Sequence, residues 1–247
     1  MAAGDQALLI EFGEEIKPSI NRRVQAFTQR ANQQRISGIG ELVPSYCTVL
    51  IYYDPLDLSF AQAASWAGEF FSSGSVEVDS TPTIKEVPVL YGGPYGPDID
   101  FVAAHNGISV EEVIRFHTRQ IYLVYVVGFS PGFTAMGTVP EKIQAPRLPT
   151  PRTRVPAGSV GIGGAQTGIY PVESPGGWRL IGRTPLRLFD LNWTPPSHFQ
   201  AGDYARFCSI SEEEFLKIST SKKNIKNLLD ADFRRKDGEN SFSLKSS

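Results

Sequence analysis

The apolar positions of the chain change rhythm twice along its length. Residues 7–12 form a short apolar run that reads as a strand. Lys17-Pro18-Ser19 then opens a stretch with Ile20, Val24, Phe27 and Ala31 at helical spacing. Residues 46–53 (YCTVLIYY) are rich in β-formers, and after Asp54-Pro55 the positions Phe60, Ala64, Ala67 and Phe71 mark a second amphipathic helix. Residues 84–91 read as a further strand. Strands alternating with one-faced helices predict a small α/β layer over about the first 85 residues.

Around Asp98 the pattern shifts to two short helices. The first closes at Asn106-Gly107, and the second opens on a Ser109–Glu112 capping box with Val110, Val113, Ile114 and His117 on its inner face. Next comes IYLVYVVGF (121–129), the strongest strand signal in the chain. From there to Phe207 short apolar runs are broken by glycine and proline, the punctuation of a closed β-barrel. The expected fold class is therefore α+β, with an N-terminal α/β domain over 1–85, a barrel over 86–215 and a polar tail over 216–247. Within that tail, residues 221–247 carry seven Lys/Arg against four Asp/Glu and little apolar content, which predicts a frayed or disordered segment with no catalytic role.

Composition narrows the function classes. Over 247 residues, 24 basic and 26 acidic side chains give a net charge of −2 with no basic stripe, so neither nucleic acid nor an anionic membrane is an expected partner. The longest apolar run, residues 121–127, falls far short of the roughly 20 needed to span a bilayer, and no basic segment precedes an apolar stretch at the start. Cys47 and Cys208, far apart in strand-like runs, suit buried free thiols in a reducing compartment, and the expected location is the cytoplasm.

Most familiar motifs dissolve on inspection. Gly161-Ile-Gly163-Gly164 lacks the third glycine of a dinucleotide loop, Gln166 standing there, and no G-K-[ST] triplet occurs, so ATP would have to be held through a complex. His105, His117 and His198 lack metal-ligand spacing, so no metal site is expected. Ser159 has no nucleophile elbow and reads as a turn residue. His117 is a candidate for acid–base work, although a hydrogen-bonded structural histidine is the ordinary reading on an apolar helix face.

The distinctive stretch is residues 128–190, which hold 9 of the 18 prolines and 11 of the 23 glycines together with Phe129, Phe133, Tyr170, Trp178 and Phe189. Arg147, Arg152, Arg154, Arg179, Arg183 and Arg187 crowd into it, permanent cations with forked donors suited to carboxylate or phosphate. Gln166, Thr167 and Tyr170, then Ser174, Gly176, Gly177 and Trp178, place amide, hydroxyl, phenol and indole groups beside glycines that admit close backbone approach. That combination fits a small polar substrate.

These residues also carry a family resemblance. GFSPGF (128–133), PRLPTPRTRVPAGSVGIGGAQTGIYP (146–171) and SPGGWRLIGRTPLRLFD (174–190) resemble the allophanate hydrolase subunit 1 family. The likeness extends over about residues 4–215, through Gly4-Asp5, Tyr91-Gly92-Gly93, Tyr95-Gly96-Pro97-Asp98, SVEEVIRFH (109–117) and AGDYARF (201–207). It implies an N-terminal α/β domain followed by a cyclophilin-like β-barrel, as in the B subunit of 5-oxoprolinase, in bacterial inhibitors of sporulation histidine kinases, and in part of the carboxyltransferase region of urea carboxylase. It further implies a subunit 2-type partner protein, a third ATP-using subunit, and a small amide or lactam substrate.

The leading expectation is a subunit, inactive alone, of an ATP-dependent enzyme opening 5-oxo-L-proline to glutamate. Arg147, Arg152, Arg183 and the Gly176-Gly177 backbone would face the developing charge, with His117 a further catalytic candidate. Gln166, Thr167, Tyr170, Ser174, Trp178, Phe129 and Phe133 would line the substrate. The alternatives are a regulatory protein that binds and inhibits a kinase, and a carboxyltransferase component acting on urea or allophanate, which alone would call for biotin. Two departures from the family pattern bear on pocket shape: Thr134-Ala135-Met136-Gly137 follows Phe133 where an aromatic Tyr-Leu-Gly is usual, and Gly163 stands where alanine is common.

Overall fold

The computed structural model describes residues 1–71 and 84–220, so the expectation for residues 221–247 lies outside the described residues. The N-terminal unit is built from β1 (Ala7–Glu11), α1 (Pro18–Gln33), β2 (Ile39–Pro44), β3 (Thr48–Tyr53) and α2 (Phe60–Gly68). Its sheet runs β1-β3-β2, antiparallel throughout. Proline at the first helical position suits α1, since the missing N–H is one the helix could not use there. The expected face of α1 is the buried one: Val24, Phe27 and Ala31 pack on Leu8, Val49 and Ile51 of the sheet.

Two local expectations are corrected. Of the expected face of α2, Ala67 is buried, Ala64 packs against the core, and Phe71 beyond the helix meets Phe12 and Phe27 though half exposed. Phe60 is exposed, however, and the main inward side is Ala63, Trp66 and Ala67, continued by Phe70. The larger rings decide the phase. Trp66 donates its indole N–H to the Gln34 carbonyl at 3.0 Å and packs edge-on against Phe70, which in turn meets Phe27. The two cysteines form no disulfide, as expected, but they are half-buried rather than buried. Strand β2 escapes the sequence pattern, because its glycine and proline mask the alternation.

The second unit contains β4 (Ile84–Tyr91), α3 (Ile99–Asn106), α4 (Val110–Arg119), β5 (Ile121–Val127), β6 (Thr134–Gly137), β7 (Arg152–Val155), β8 (Ser159–Gly163), β9 (Gln166–Ile169), β10 (Ser174–Gly176), β11 (Arg179–Arg183), β12 (Tyr204–Ser209) and α5 (Glu212–Thr220). Seven strands close a barrel in the order β11-β4-β12-β5-β6-β9-β8, and β7 with β10 forms a separate two-stranded ribbon. Strand β4 lies in this barrel, parallel to β12, and pairs with neither β1 nor β3. The Ser109–Glu112 capping box is present, and Gly107 closes α3 at φ +65°. Among the described residues, no helix is long and apolar enough to cross a membrane.

Strand alternation gives the barrel wall two faces. Met136, Val160, Ile162, Ile169 and Ile181 point into the main core, with Tyr122, Val124 and Phe207. The opposite face of the same strands carries Ala135 and Leu180, which join Phe133, Val155, Tyr170 and Trp178 in a second, smaller apolar cluster. Tyr46 of the N-terminal unit packs against that cluster and lies 5.9 Å, ring to ring, from Tyr125.

Candidate functional site

The small cluster on the outer barrel wall is where most of the candidate residues meet. Its floor consists of glycines: Gly161 and Gly163 on β8 and Gly168 on β9 present no side chains. A Cβ built on them would lie 3.1, 2.6 and 3.0 Å from Trp178. The indole fills the trough that they leave. Phe133 stands edge-on to Trp178 at 5.5 Å and to Tyr170 at 5.1 Å, and Phe129 edge-on to Phe133 at 5.5 Å. Phe133, Tyr170 and Trp178 are buried. Phe129 is 80% exposed and holds φ +71°, a conformation that costs a non-glycine residue energy and turns its ring to solvent.

The ribbon lies against this cluster. Register pairs Ser174 with Val155, which is part of the cluster, and, beyond a register shift, Gly176 with Arg152, whose side chain reaches buried Asp98. Gly176 sits so close to the Tyr170 ring that a Cβ would fall 2.5 Å from its hydroxyl. Gly177 accepts a hydrogen bond from the Leu148 N–H at 2.7 Å, fixing the chain beyond the ribbon. Arg154 and Glu173 form an exposed two-pronged pair at 3.0 Å.

Two cations flank the aromatic cluster. Arg147 lies over the Trp178 ring at 5.7 Å. Arg152 donates from Nη2 to Oδ1 of buried Asp98 at 2.8 Å, while Oδ2 of Asp98 accepts the Leu180 N–H at 2.6 Å. Burial pushes the Tyr170 phenol up from its ordinary value; a hydrogen bond with the Trp178 backbone and the charges of Arg147 and Arg152 pull it partly back. The phenol therefore stays protonated at neutral pH beside two positive charges. Three donor-capable atoms in this region are buried without a partner among the described residues: Arg152 Nη1, Ser174 Oγ and Gln166 Nε2. Gln166 is paired with Gly163 and shares the outer face with it.

Other candidates are placed elsewhere. Thr167 points into the barrel, and His117, fully buried, hydrogen-bonds it through Nε2 at 2.9 Å; Thr167 in turn donates to the Gly161 carbonyl at 3.0 Å. Nδ1 of His117 meets the Tyr91 hydroxyl at 2.7 Å, so the neutral ring with its proton on Nε2 satisfies every group in the chain. Desolvation lowers its pKa to about 3. This is the setting of a structural histidine that ties α4 to β4 and β9, and it leaves no free nitrogen for proton transfer. Arg183 donates from Nε to the Ala157 carbonyl at 2.7 Å, pinning the turn between β7 and β8 onto β11.

Sequence reasoning assigned no role to Asp98 or Tyr91, the anchors of Arg152 and His117. Both stand in the glycine-rich runs that carry the family resemblance, and that was the only signal available.

Known proteins share this architecture. The family described as the carboxyltransferase domain, subdomain C and D, matches residues 1–199. The B subunit of the 5-oxoprolinase of Bacillus subtilis is 41% identical over 222 residues, covering 86% of this chain and 92% of its own. The crystal structure of a conserved uncharacterized protein from Pyrococcus horikoshii is 46% identical with a TM-score of 0.53, covering 86% of this chain and 98% of that one. Kluyveromyces lactis urea carboxylase shares the fold at 22% identity and a TM-score of 0.69, this chain spanning 22% of its length.

Proposed function

The chain belongs to the family of the carboxyltransferase domain, subdomains C and D, and from that premise we propose that it is the B subunit of a 5-oxoprolinase. The reaction is the opening of the lactam ring of 5-oxo-L-proline to L-glutamate, driven by ATP hydrolysis in a complex with a subunit 2-type partner and a third ATP-using subunit. The observation that carries the reading is the 41% identity to the B subunit of a 5-oxoprolinase along 92% of that protein's length.

The site chemistry agrees with it. A lactam is a stable amide, and its activation puts negative charge on the carbonyl oxygen, which fixed cations and N–H donors stabilise best where water is excluded. Arg147 and the Tyr170 hydroxyl lie together on the outer barrel wall, with Gly176 close against the Tyr170 ring and Trp178 and Phe133 as the apolar backing. With no free general base at His117 and no nucleotide loop, this chain supplies binding and orientation while its partners supply the ATP site.

Reconstitution tests this reading. The purified chain alone is expected to release no glutamate from 5-oxo-L-proline, and turnover with ATP consumption is expected on adding a subunit 2-type partner and an ATP-using subunit. Robust turnover by the single chain, or none by the complete complex, overturns it.

A further inference from the structure

We infer that the β7–β10 ribbon bears a carboxylate-recognition surface, with Arg152 as the residue that reads the carboxylate of the substrate; this rests on the 5-oxoprolinase reading and specifies which half of the substrate the chain holds.

Arg152 is a half-used fork. Its Nη2 is committed to Asp98 at 2.8 Å, and Asp98 is itself fixed by the Leu180 N–H at 2.6 Å, so the guanidinium is held rigidly from behind. Its Nη1 is buried with no partner among the described residues. A guanidinium N–H removed from water without an acceptor is unfavourable, and a carboxylate is the group whose two oxygens match the fork. Neighbouring arginines do not share this feature. Arg154, two residues along and exposed, is paired through two N–H groups with Glu173, and nearby Arg179 donates to the Pro146 carbonyl.

Two further donors, on the ribbon and on the barrel wall, lack acceptors among the described residues. Ser174 Oγ lies on the ribbon opposite Val155, and Gln166 Nε2 lies on the outer barrel wall beside Gly163. The local charge also favours an anion: Arg147 and Arg152 against Asp98 leave an excess of one positive charge. The ribbon's two strands pair with each other and, among the described residues, with no barrel strand. The carboxylate of 5-oxo-L-proline is not altered when the lactam opens, which makes it a handle for binding, independent of the reacting amide.

The test compares 5-oxo-L-proline and acetate with 2-pyrrolidinone, the same lactam without the carboxylate. Binding to the full chain is followed by NMR, and turnover in the reconstituted complex by release of the ring-opened amino acid, glutamate from 5-oxo-L-proline and 4-aminobutyrate from 2-pyrrolidinone. The wild-type protein is expected to bind the two carboxylates and to discriminate against 2-pyrrolidinone. Arg152→Ala is expected to weaken 5-oxo-L-proline binding and raise its KM by roughly tenfold or more, with a smaller change in kcat and none toward 2-pyrrolidinone. Added guanidinium should restore part of the loss.

Arg152→Lys keeps a cation for Asp98 but not the fork, and covers the case in which the alanine variant fails to fold; it should show the same loss in milder form. Arg154→Ala, at an exposed position, should bind as the wild type does. Equal discrimination in wild type and Arg152→Lys, or no carboxylate binding to the wild-type chain or complex, overturns the inference. Carboxylate binding that depends on Arg152 in a complex that turns over neither lactam supports the recognition surface and overturns the 5-oxoprolinase reading instead.

Discussion

Trp178 occupies the space that a side chain at Gly163 would need: a Cβ there would lie 2.6 Å from the indole Nε1 and 2.7 Å from Cδ1. Glycine at this position thus lets the indole sink onto the barrel wall, where it carries Arg147 over its ring. Gly163→Ala is expected to lift the indole, shift the tryptophan fluorescence and destabilise the protein by about 1–3 kcal/mol, the range for overpacking a close-packed site. An unchanged emission spectrum with unchanged stability would show that the trough has room to spare.

His117 predicts a specific acid sensitivity. Its pKa is lowered to about 3 by burial, against an ordinary value near 6.5, so the folded protein holds it neutral while the unfolded chain protonates it. Its contribution is fully present above about pH 6.5 and is lost progressively as the pH falls toward 3. Between pH 7 and pH 5 the loss comes to about 2 kcal/mol. Denaturant titrations of His117→Gln should lack this component, leaving a shallower decline than the wild type; parallel profiles would show that the histidine is protonated in the fold.

Arg183 and Arg187 separate a turn-holding arginine from a surface one. Arg183→Ala removes the bond to the Ala157 carbonyl and is expected to cost about 1 kcal/mol, a few degrees in Tm, with carboxylate binding preserved. Arg187, whose guanidinium is mostly exposed beside Asp190, is expected to change stability by less than about 0.5 kcal/mol on truncation to alanine. Loss of ligand binding in Arg183→Ala with unchanged Tm would place this residue in the site after all.

The expected helices and barrel strands were legible because each is fixed by local chemistry. Proline at the start of α1, the Ser109–Glu112 box, Gly107 after α3 and the run of β-formers in β5 declare themselves within a few residues. The phase of α2 was not, because choosing between Phe60 and Trp66 as the inward side depends on which ring finds a partner across the core, Gln34 and Phe70 in this fold.

For the site, the sequence determined the ingredients: the arginines, the aromatics and the glycines of residues 128–190, and through them the family. Only the tertiary structure decided which ingredients meet. Strand alternation sends Thr167 inward to His117 while its neighbours Gln166 and Gly168 face outward, a difference of one residue that puts adjacent candidates on opposite sides of the barrel wall. Closure of the barrel brings Asp98 from the turn after β4 to Arg152, 54 positions along the chain, and so divides one arginine's fork between an internal anchor and an open donor. That contact depends on the path of the chain in space, and no pattern of residues near Asp98 or near Arg152 encodes it.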